Sequence, residues 1–300
     1  MAVRDLIAID WGTSSLRGAR LDAIGAVLEE RSFAAGILTV PPGGFPAAFA
    51  QYFGDWTAPP DTLCLMAGMV GSRQGWVEAP YAACPAGPAD VAGQLAWVVP
   101  GRVAIVPGLS CERGGAPDVM RGEETQVFGV LQLLGLSDAA QVTLVLPGTH
   151  SKWVQVEAGR VRGFATFMTG EVYALLRQHS ILARTLPADD AVFEAEAFDA
   201  GVAHSLRGNG LLSAAFSVRT LSLFERMPEP DRPSYLSGIV IGEELRSQRE
   251  QAHGRIVLIG SSTLTQRYER ALALLGVRAD SAGSQATWRG LFDIASTLRS

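Results

Sequence analysis

Apolar runs recur along the chain, and each ends in small or hydroxyl residues. Ile7-Ala8-Ile9 runs into Asp10-Trp11-Gly12-Thr13-Ser14-Ser15, and residues 62–67 run into Gly68-Met69-Val70-Gly71. Residues 142–146 run into Pro147-Gly148-Thr149-His150-Ser151-Lys152, and residues 256–259 into Gly260-Ser261-Ser262. Short apolar runs bounded by turn residues read as buried strands. Two further strands about a tight turn follow each of the first and third runs, over 16–22 and 26–33, then over 152–157 and 161–167. Residues 102–106 read as another strand. Phe45, Phe49 and Phe53 stand four apart and predict an amphipathic helix over 45–53. Helices are also expected over 89–97, from 120–124 onward through Leu134, and over 169–182, 189–204, 210–224, 235–250, 263–275 and 285–298. The Gly-containing stretch 109–119 reads as a loop.

Gly12-Thr13-Ser14-Ser15 and Gly148-Thr149-His150-Ser151 share the pattern Gly-Thr-x-Ser. Both follow a buried strand and precede another strand, so neither sits at a helix N-terminus as a P-loop does. Glycine lets backbone approach a ligand closely, and hydroxyls beside backbone N–H groups make a phosphate cradle. The repeat predicts an α/β protein of two halves, residues 1–139 and 140–300, each opened by a phosphate loop. Two such loops facing each other across a cleft would grip a nucleoside triphosphate tail.

Composition narrows the class. Of 300 residues, 48% are hydrophobic, enough for a sizeable core, and the net charge of −5 is mixed along the chain. No basic stretch suggests nucleic acid, and no segment suggests a membrane. The start, with Arg4 and Asp5 before a four-residue apolar run, reads as neither signal peptide nor membrane span. Cys64, Cys84 and Cys111 lack metal-binding spacing and read as reduced thiols of a cytoplasmic protein. Cys64 is expected in the core, Cys111 partly exposed in a loop. His179 and His204 read as structural, with His150 the exception because of its loop.

Several residues carry candidate chemistry. Asp10, at a strand end, suits a hydrated Mg²⁺, which takes few carboxylates and keeps its waters. Arg73, in a Gly-punctuated loop with Trp76 and Glu78, offers a planar fork for a carboxylate, and Trp76 an apolar face for a sugar chain. Arg113 is its rival in the next loop. Glu123 and Glu124 open a helix, where acids commonly complement the dipole; one of them is also a candidate base, Glu123 ahead of Glu124, with Asp118 a competitor. Lys152 is placed to neutralise phosphate charge. Thr169 reads as an N-cap with Glu171 in the first turn.

The two Gly-Thr-x-Ser loops resemble phosphate motifs one and two of the actin, sugar-kinase and heat-shock ATPase superfamily. Gly260-Ser261-Ser262 before a helix resembles its adenosine motif. The chain is similar to the 2-dehydro-3-deoxygalactonokinase family through Asp10-Trp11-Gly12-Thr13-Ser14, Gly68-Met69-Val70-Gly71-Ser72-Arg73, Met120-Arg121-Gly122-Glu123-Glu124-Thr125-Gln126, Pro147-Gly148-Thr149-His150-Ser151-Lys152 and Thr166-Phe167-Met168-Thr169-Gly170-Glu171. The resemblance implies two ribonuclease-H-like lobes, each a mixed sheet flanked by helices, with the active-site cleft between them. It implies ATP, with Mg²⁺, as phosphoryl donor to the 6-hydroxyl of 2-dehydro-3-deoxy-D-galactonate. The acceptor would lie in the N-terminal lobe and the adenosine in the C-terminal one, against Gly260 and Ser261, with Gly238 and Gly242 giving the nucleotide close approach. The superfamily's usual base is an aspartate after a glycine, where this chain has Gly122-Glu123-Glu124. A homodimer is compatible with the sequence. The alternative class is a non-kinase member, an ATP-binding regulator or a phosphatase; the chain lacks an added DNA-binding unit and cluster-binding cysteines.

Overall fold

A computed structural model describes residues 5–138, 141–189, 192–208, 210–249, 254–283 and 285–298. Strand β1 (Leu6–Trp11) is buried at every position but Asp10, so its apolar run is covered on both faces. It turns back into β2 (Leu16–Leu21) and then β3 (Val27–Phe33), both antiparallel to the strand before. Helix α1 (Phe45–Thr57) follows, and its Phe45, Phe49 and Phe53 pack with Trp11, Ile9 and Met66 as the periodicity predicts. Strand β4 (Leu63–Ala67) then lies parallel to β1.

Beyond β4 come β5 (Tyr81–Ala83), α2 (Pro88–Ala92), β6 (Ala96–Val99), β7 (Val103–Ile105), β8 (Gly108–Arg113), β9 (Ala116–Met120) and α3 (Glu123–Leu133). The large sheet runs β3-β2-β1-β4-β7-β6, and a small one runs β5-β8-β9. Two expectations need correction. The helix expected over 89–97 is only the five residues of α2, because Ala96-Trp97-Val98-Val99 forms an edge strand against β7 with alternating exposure. The loop expected over 109–119 is a hairpin: Gly114 (φ +57) and Gly115 (φ +80) both take the left-handed region that a two-residue turn requires. Cys111 is therefore a strand residue, its thiol donating to Phe164 O at 3.4 Å.

The second half of the chain comprises β10 (Val142–Leu146), β11 (Ser151–Glu157), β12 (Arg160–Phe167), α4 (Thr169–His179), α5 (Ala195–Leu206), α6 (Leu211–Leu223), α7 (Arg232–Gln248), β13 (Ile256–Ile259), α8 (Ser262–Leu274) and β14 (Ala279–Ala282). Its sheet runs β12-β11-β10-β13-β14, with β10, β13 and β14 parallel. Helices α5 and α7 meet backbone to backbone. A Cβ at Gly201 would lie 2.1 Å from Tyr235 O, and one at Gly238 would lie 2.1 Å from Phe198 O. Gly242 likewise faces Val202 and Ser205. Gly238 and Gly242 thus serve helix packing, which corrects the expectation that they admit a nucleotide.

The last helix, α9 (Ala286–Thr297), packs on α3, where a Cβ at Gly290 would lie 1.8 Å from Thr125 O. Contacts divide the chain into one unit of Met1–Gln141, Val154–Phe164 and Ser284–Ser300, and another of Val142–Trp153 and Ala165–Gly283. The boundary expected at 139/140 falls on residues outside the described set, and the division differs from it in giving 154–164 and the C-terminal helix to the first unit. Among the described residues no helix is long and apolar enough to cross a membrane.

Candidate active site

In the first unit the carboxyl ends of β1 and β4 and the start of α3 converge. Gly68 follows β4 with φ +93, and a Cβ there would lie 2.9 Å from Trp11 O and 3.3 Å from Asp10 Oδ1. Gly122, with φ +104, precedes α3, and its Cβ would lie 3.2 Å from Gly68 Cα. Two glycines without side chains therefore let the Gly122-Glu123-Glu124 turn approach the Asp10 strand end. Asp10 itself is partly exposed, and its Oδ2 accepts from Arg17 Nη2 at 2.5 Å across the β1–β2 pair.

The loop after β1 is open. Thr13, Ser14 and Ser15 are exposed. The carbonyls of Gly12 and Thr13 accept from Ile37 N (3.0 Å) and Leu38 N (3.3 Å). Gly36 makes this approach feasible, since a Cβ there would lie 2.2 Å from Thr13 O.

Glu123 and Glu124 differ in setting. Glu123 is half-buried and accepts from Arg121 N at 3.0 Å. Glu124 is fully buried; its Oε2 accepts from Gly122 N at 2.7 Å, and its Oε1 has no hydrogen-bond partner among the described residues. Burial first, and the Glu123 charge second, push its carboxyl up to about 8. Arg121, a motif residue with no local signal of a role, ties this turn to the 68–79 loop. Its Nη2 donates to Ala79 O at 2.8 Å, and its guanidinium lies 4.2 Å above the Tyr81 ring.

Trp76 is half-buried and packs on Phe45 and Phe49, with ring centroids 6.5 and 5.3 Å away. With Gln74, Val40, Pro42 and Pro46 it lines a pocket of about 390 Å³. Arg73 is exposed, its Nε 3.3 Å from Glu78 Oε1. Arg113 is exposed at the β8–β9 turn, and Asp118 in β9 accepts from its own neighbour Val119 N at 2.8 Å.

The second unit gathers a separate set. Gly148, Thr149 and His150 are accessible, while Ser151 and Lys152 are buried. Ser151 Oγ donates to Glu244 Oε1 at 2.7 Å, and Lys152 Nζ donates to Thr166 Oγ1 at 2.8 Å. Gly170 lets α4 close on the loop, since a Cβ there would lie 2.6 Å from Gly148 O, and Glu171 N donates to Thr149 O at 3.1 Å. His150 Nε2 is 2.6 Å from Glu171 Oε2. Met168, not Thr169, is the N-cap of α4, because the Thr169 hydroxyl donates to Glu244 Oε2 instead. A Cβ at Gly260 would lie 3.6 Å from Pro147 O, so the turn after β13 borders this loop, and Ser261 is the exposed N-cap of α8.

Among the described residues no three His, Cys, Asp or Glu side chains form a metal cage. Asp10 fits the other mode, in which one carboxylate joins water and phosphate oxygens around Mg²⁺.

Two α/β units, each with a strand-borne Gly-Thr-x-Ser loop, define an actin-like fold class. Component A of (R)-2-hydroxyglutaryl-CoA dehydratase from Acidaminococcus fermentans shares the fold alone, at TM-score 0.54 and 10% identity over 98% of this chain and 99% of that one. Within that class, the chain belongs to the 2-keto-3-deoxy-galactonokinase family, whose model matches residues 10–294. It is 37% identical to the 2-dehydro-3-deoxygalactonokinase of Escherichia coli (strain K12), over 96% of this chain and 97% of that one. It is also similar to a Sinorhizobium meliloti protein whose crystal structure was described as a candidate 2-dehydro-3-deoxygalactonokinase, at TM-score 0.89 and 35% identity over 98% and 99% of the two chains.

Proposed function

We propose that this sugar-acid kinase transfers the γ-phosphoryl group of ATP to the 6-hydroxyl of 2-dehydro-3-deoxy-D-galactonate. The observation that carries the chemistry is the convergence in the first unit of Asp10, Gly68 and the Gly122-Glu123-Glu124 turn. It supports a single place where a phosphate-side carboxylate and a candidate base share one strand end.

Asp10 would hold hydrated Mg²⁺, which supplies positive charge to the phosphate oxygens. Gly12, Thr13, Ser14 and Ser15 in one unit, and Gly148, Thr149 and His150 in the other, are the phosphate-binding elements. Ser151 and Lys152 support the second loop from beneath, Lys152 adding its charge there. Gly260 and Ser261 are assigned to the adenosine. Glu123 takes the proton of the acceptor hydroxyl, since a substrate can meet it and cannot meet the enclosed Glu124. Such a site works by positioning and electrostatics, as phosphoryl transfer does generally.

The acceptor's carboxylate is assigned to Arg73, beside Trp76, with Arg113 the rival. The Arg73–Glu78 pair is exposed and 3.3 Å long. Pairs of that kind contribute little, so the guanidinium is readily released to a substrate.

The test is ATP consumption by the purified protein with and without 2-dehydro-3-deoxy-D-galactonate, with the product read by phosphorus NMR. Strong stimulation and a 6-phosphate product are expected. Hydrolysis indifferent to the acid, or stimulation by neutral sugars alone, would overturn the reading.

A further inference from the structure

Glu244 sits in α7 with 3% of its surface exposed, and four side chains donate to it. Ser151 Oγ (2.7 Å) and Trp153 Nε1 (2.6 Å) reach Oε1. Tyr268 Oη (2.7 Å) and Thr169 Oγ1 reach Oε2. All five residues belong to the second unit. The donors come from four places: the end of the Gly148–Ser151 loop, strand β11, the first residue of α4, and α8, whose first turn follows Gly260-Ser261. Each carboxylate oxygen accepts two bonds, which fills its capacity.

A buried carboxylate costs free energy unless fully bonded, so a four-way hub in a core is not there for packing alone. Every element that the proposed kinase reading assigns to the nucleotide in this unit is anchored to this one side chain. Ser151 ends the phosphate loop. Thr169 starts the helix whose Gly170 and Glu171 close on Gly148 and Thr149. Tyr268 lies in the helix that Ser261 caps.

We propose that Glu244 is a positioning residue that fixes the second phosphate loop relative to α4 and α8, and so sets the affinity for ATP without touching it. This rests on the kinase reading above. It makes the phosphate loop's serine an anchor and leaves ligand contact to Gly148, Thr149 and His150.

The chemistry of the hub supplies its own control. In Glu244→Gln the amide oxygen can keep the bonds from Ser151 and Trp153, and the NH₂ can donate to the Tyr268 and Thr169 oxygens, both of which accept. In Glu244→Leu all four donors lose their acceptor.

The experiment measures KM for ATP, KM for the acceptor, kcat and melting temperature for wild type, Glu244→Gln, Glu244→Leu and Tyr268→Phe. Expected are a rise of about tenfold or more in ATP KM for Glu244→Leu, near wild-type ATP KM for Glu244→Gln, and a smaller rise for Tyr268→Phe, with acceptor KM unchanged throughout. Direct ATP titration by calorimetry should follow the same order. A merely structural residue would lower the melting temperature and leave ATP KM as it was in the folded fraction, or would shift both KM values together; either result overturns the proposal. Should Glu244→Leu fail to fold, an unchanged ATP KM in Tyr268→Phe overturns it alone. A wild-type protein showing no acceptor-stimulated ATP consumption refutes the kinase reading instead, which is a separate outcome.

Discussion

Glu123 and Glu124 are neighbours in sequence and opposites in environment. Glu123→Gln keeps shape but cannot take a proton, so turnover should fall about 10²- to 10⁴-fold while acceptor binding survives. A normal rate would return the role to Glu124 or Asp118. Glu124 makes a different prediction, through stability. Its carboxyl is raised from an ordinary 4.5 to about 8 by burial. The folded state therefore holds a proton that the unfolded state releases. That stability is complete below pH 4.5 and drains as pH rises to about 8. At 1.36 kcal/mol per pH unit the total is on the order of 5 kcal/mol. Glu244 is shifted the same way by burial, partly offset by its four donors, so the wild-type slope has two sources. Urea midpoints from pH 5 to 8.5 should show a shallower decline in Glu124→Gln than in wild type; equal slopes would refute the assignment. For Arg73→Met the expectation is a roughly ten- to hundredfold higher acceptor KM with ATP KM unchanged, the size of a charge-assisted hydrogen bond. An effect in Arg113→Met alone would move the carboxylate partner to the β8–β9 turn.

At the scale of elements, glycine decides the close crossings. Gly201→Ala would place a methyl 2.1 Å from Tyr235 O, between α5 and α7. The helices must separate, and the variant should lose roughly 1–3 kcal/mol despite the better helix propensity of alanine. Thermal melts of the folded variant check this; an unchanged or higher melting temperature would refute it. These crossings also show what a sequence reveals. The buried strands β1, β4, β10 and β13 are legible because an unbroken apolar run is a local signal, and with them come the positions of both Gly-Thr-x-Ser loops. Gly238 and Gly242 were legible as points of close approach, but not their partner, since α5 is set against α7 only by tertiary packing. Gly114-Gly115 carry a hairpin signal, but Pro117 and the charges of Glu112, Arg113 and Asp118 obscure the apolar alternation of the flanking strands. Arg121 and Glu244 have no local signature at all. The donors to Glu244 lie 24 to 93 positions away, and nothing in the spacing of Gly242-Glu243-Glu244 announces them.

For the whole molecule, the first unit is discontinuous. Its α3 face is completed by α9, where Gly129 and Gly290 put backbone against backbone, and Trp288 Nε1 donates to Glu30 Oε1 at 2.7 Å. A chain ending at residue 283 would uncover the α3 face of Thr125, Gly129 and Gln132 and the α9 contacts of β1. Such a truncation should be insoluble or strongly destabilised, although it removes no residue assigned to the site. A soluble truncated protein with wild-type turnover would show that α9 is dispensable to the unit.

The placement of α9 also orders events during synthesis. Chains emerge from the ribosome N-terminus first, and domains generally fold as they become available. Every residue of the second unit precedes residue 284. The first unit is therefore completed after the second, since its closing helix is translated after every residue of the second. Until then α3 lacks the helix that Thr125, Gly129 and Gln132 meet in the finished fold, and that uncovered face is the surface a chaperone would meet on the nascent chain.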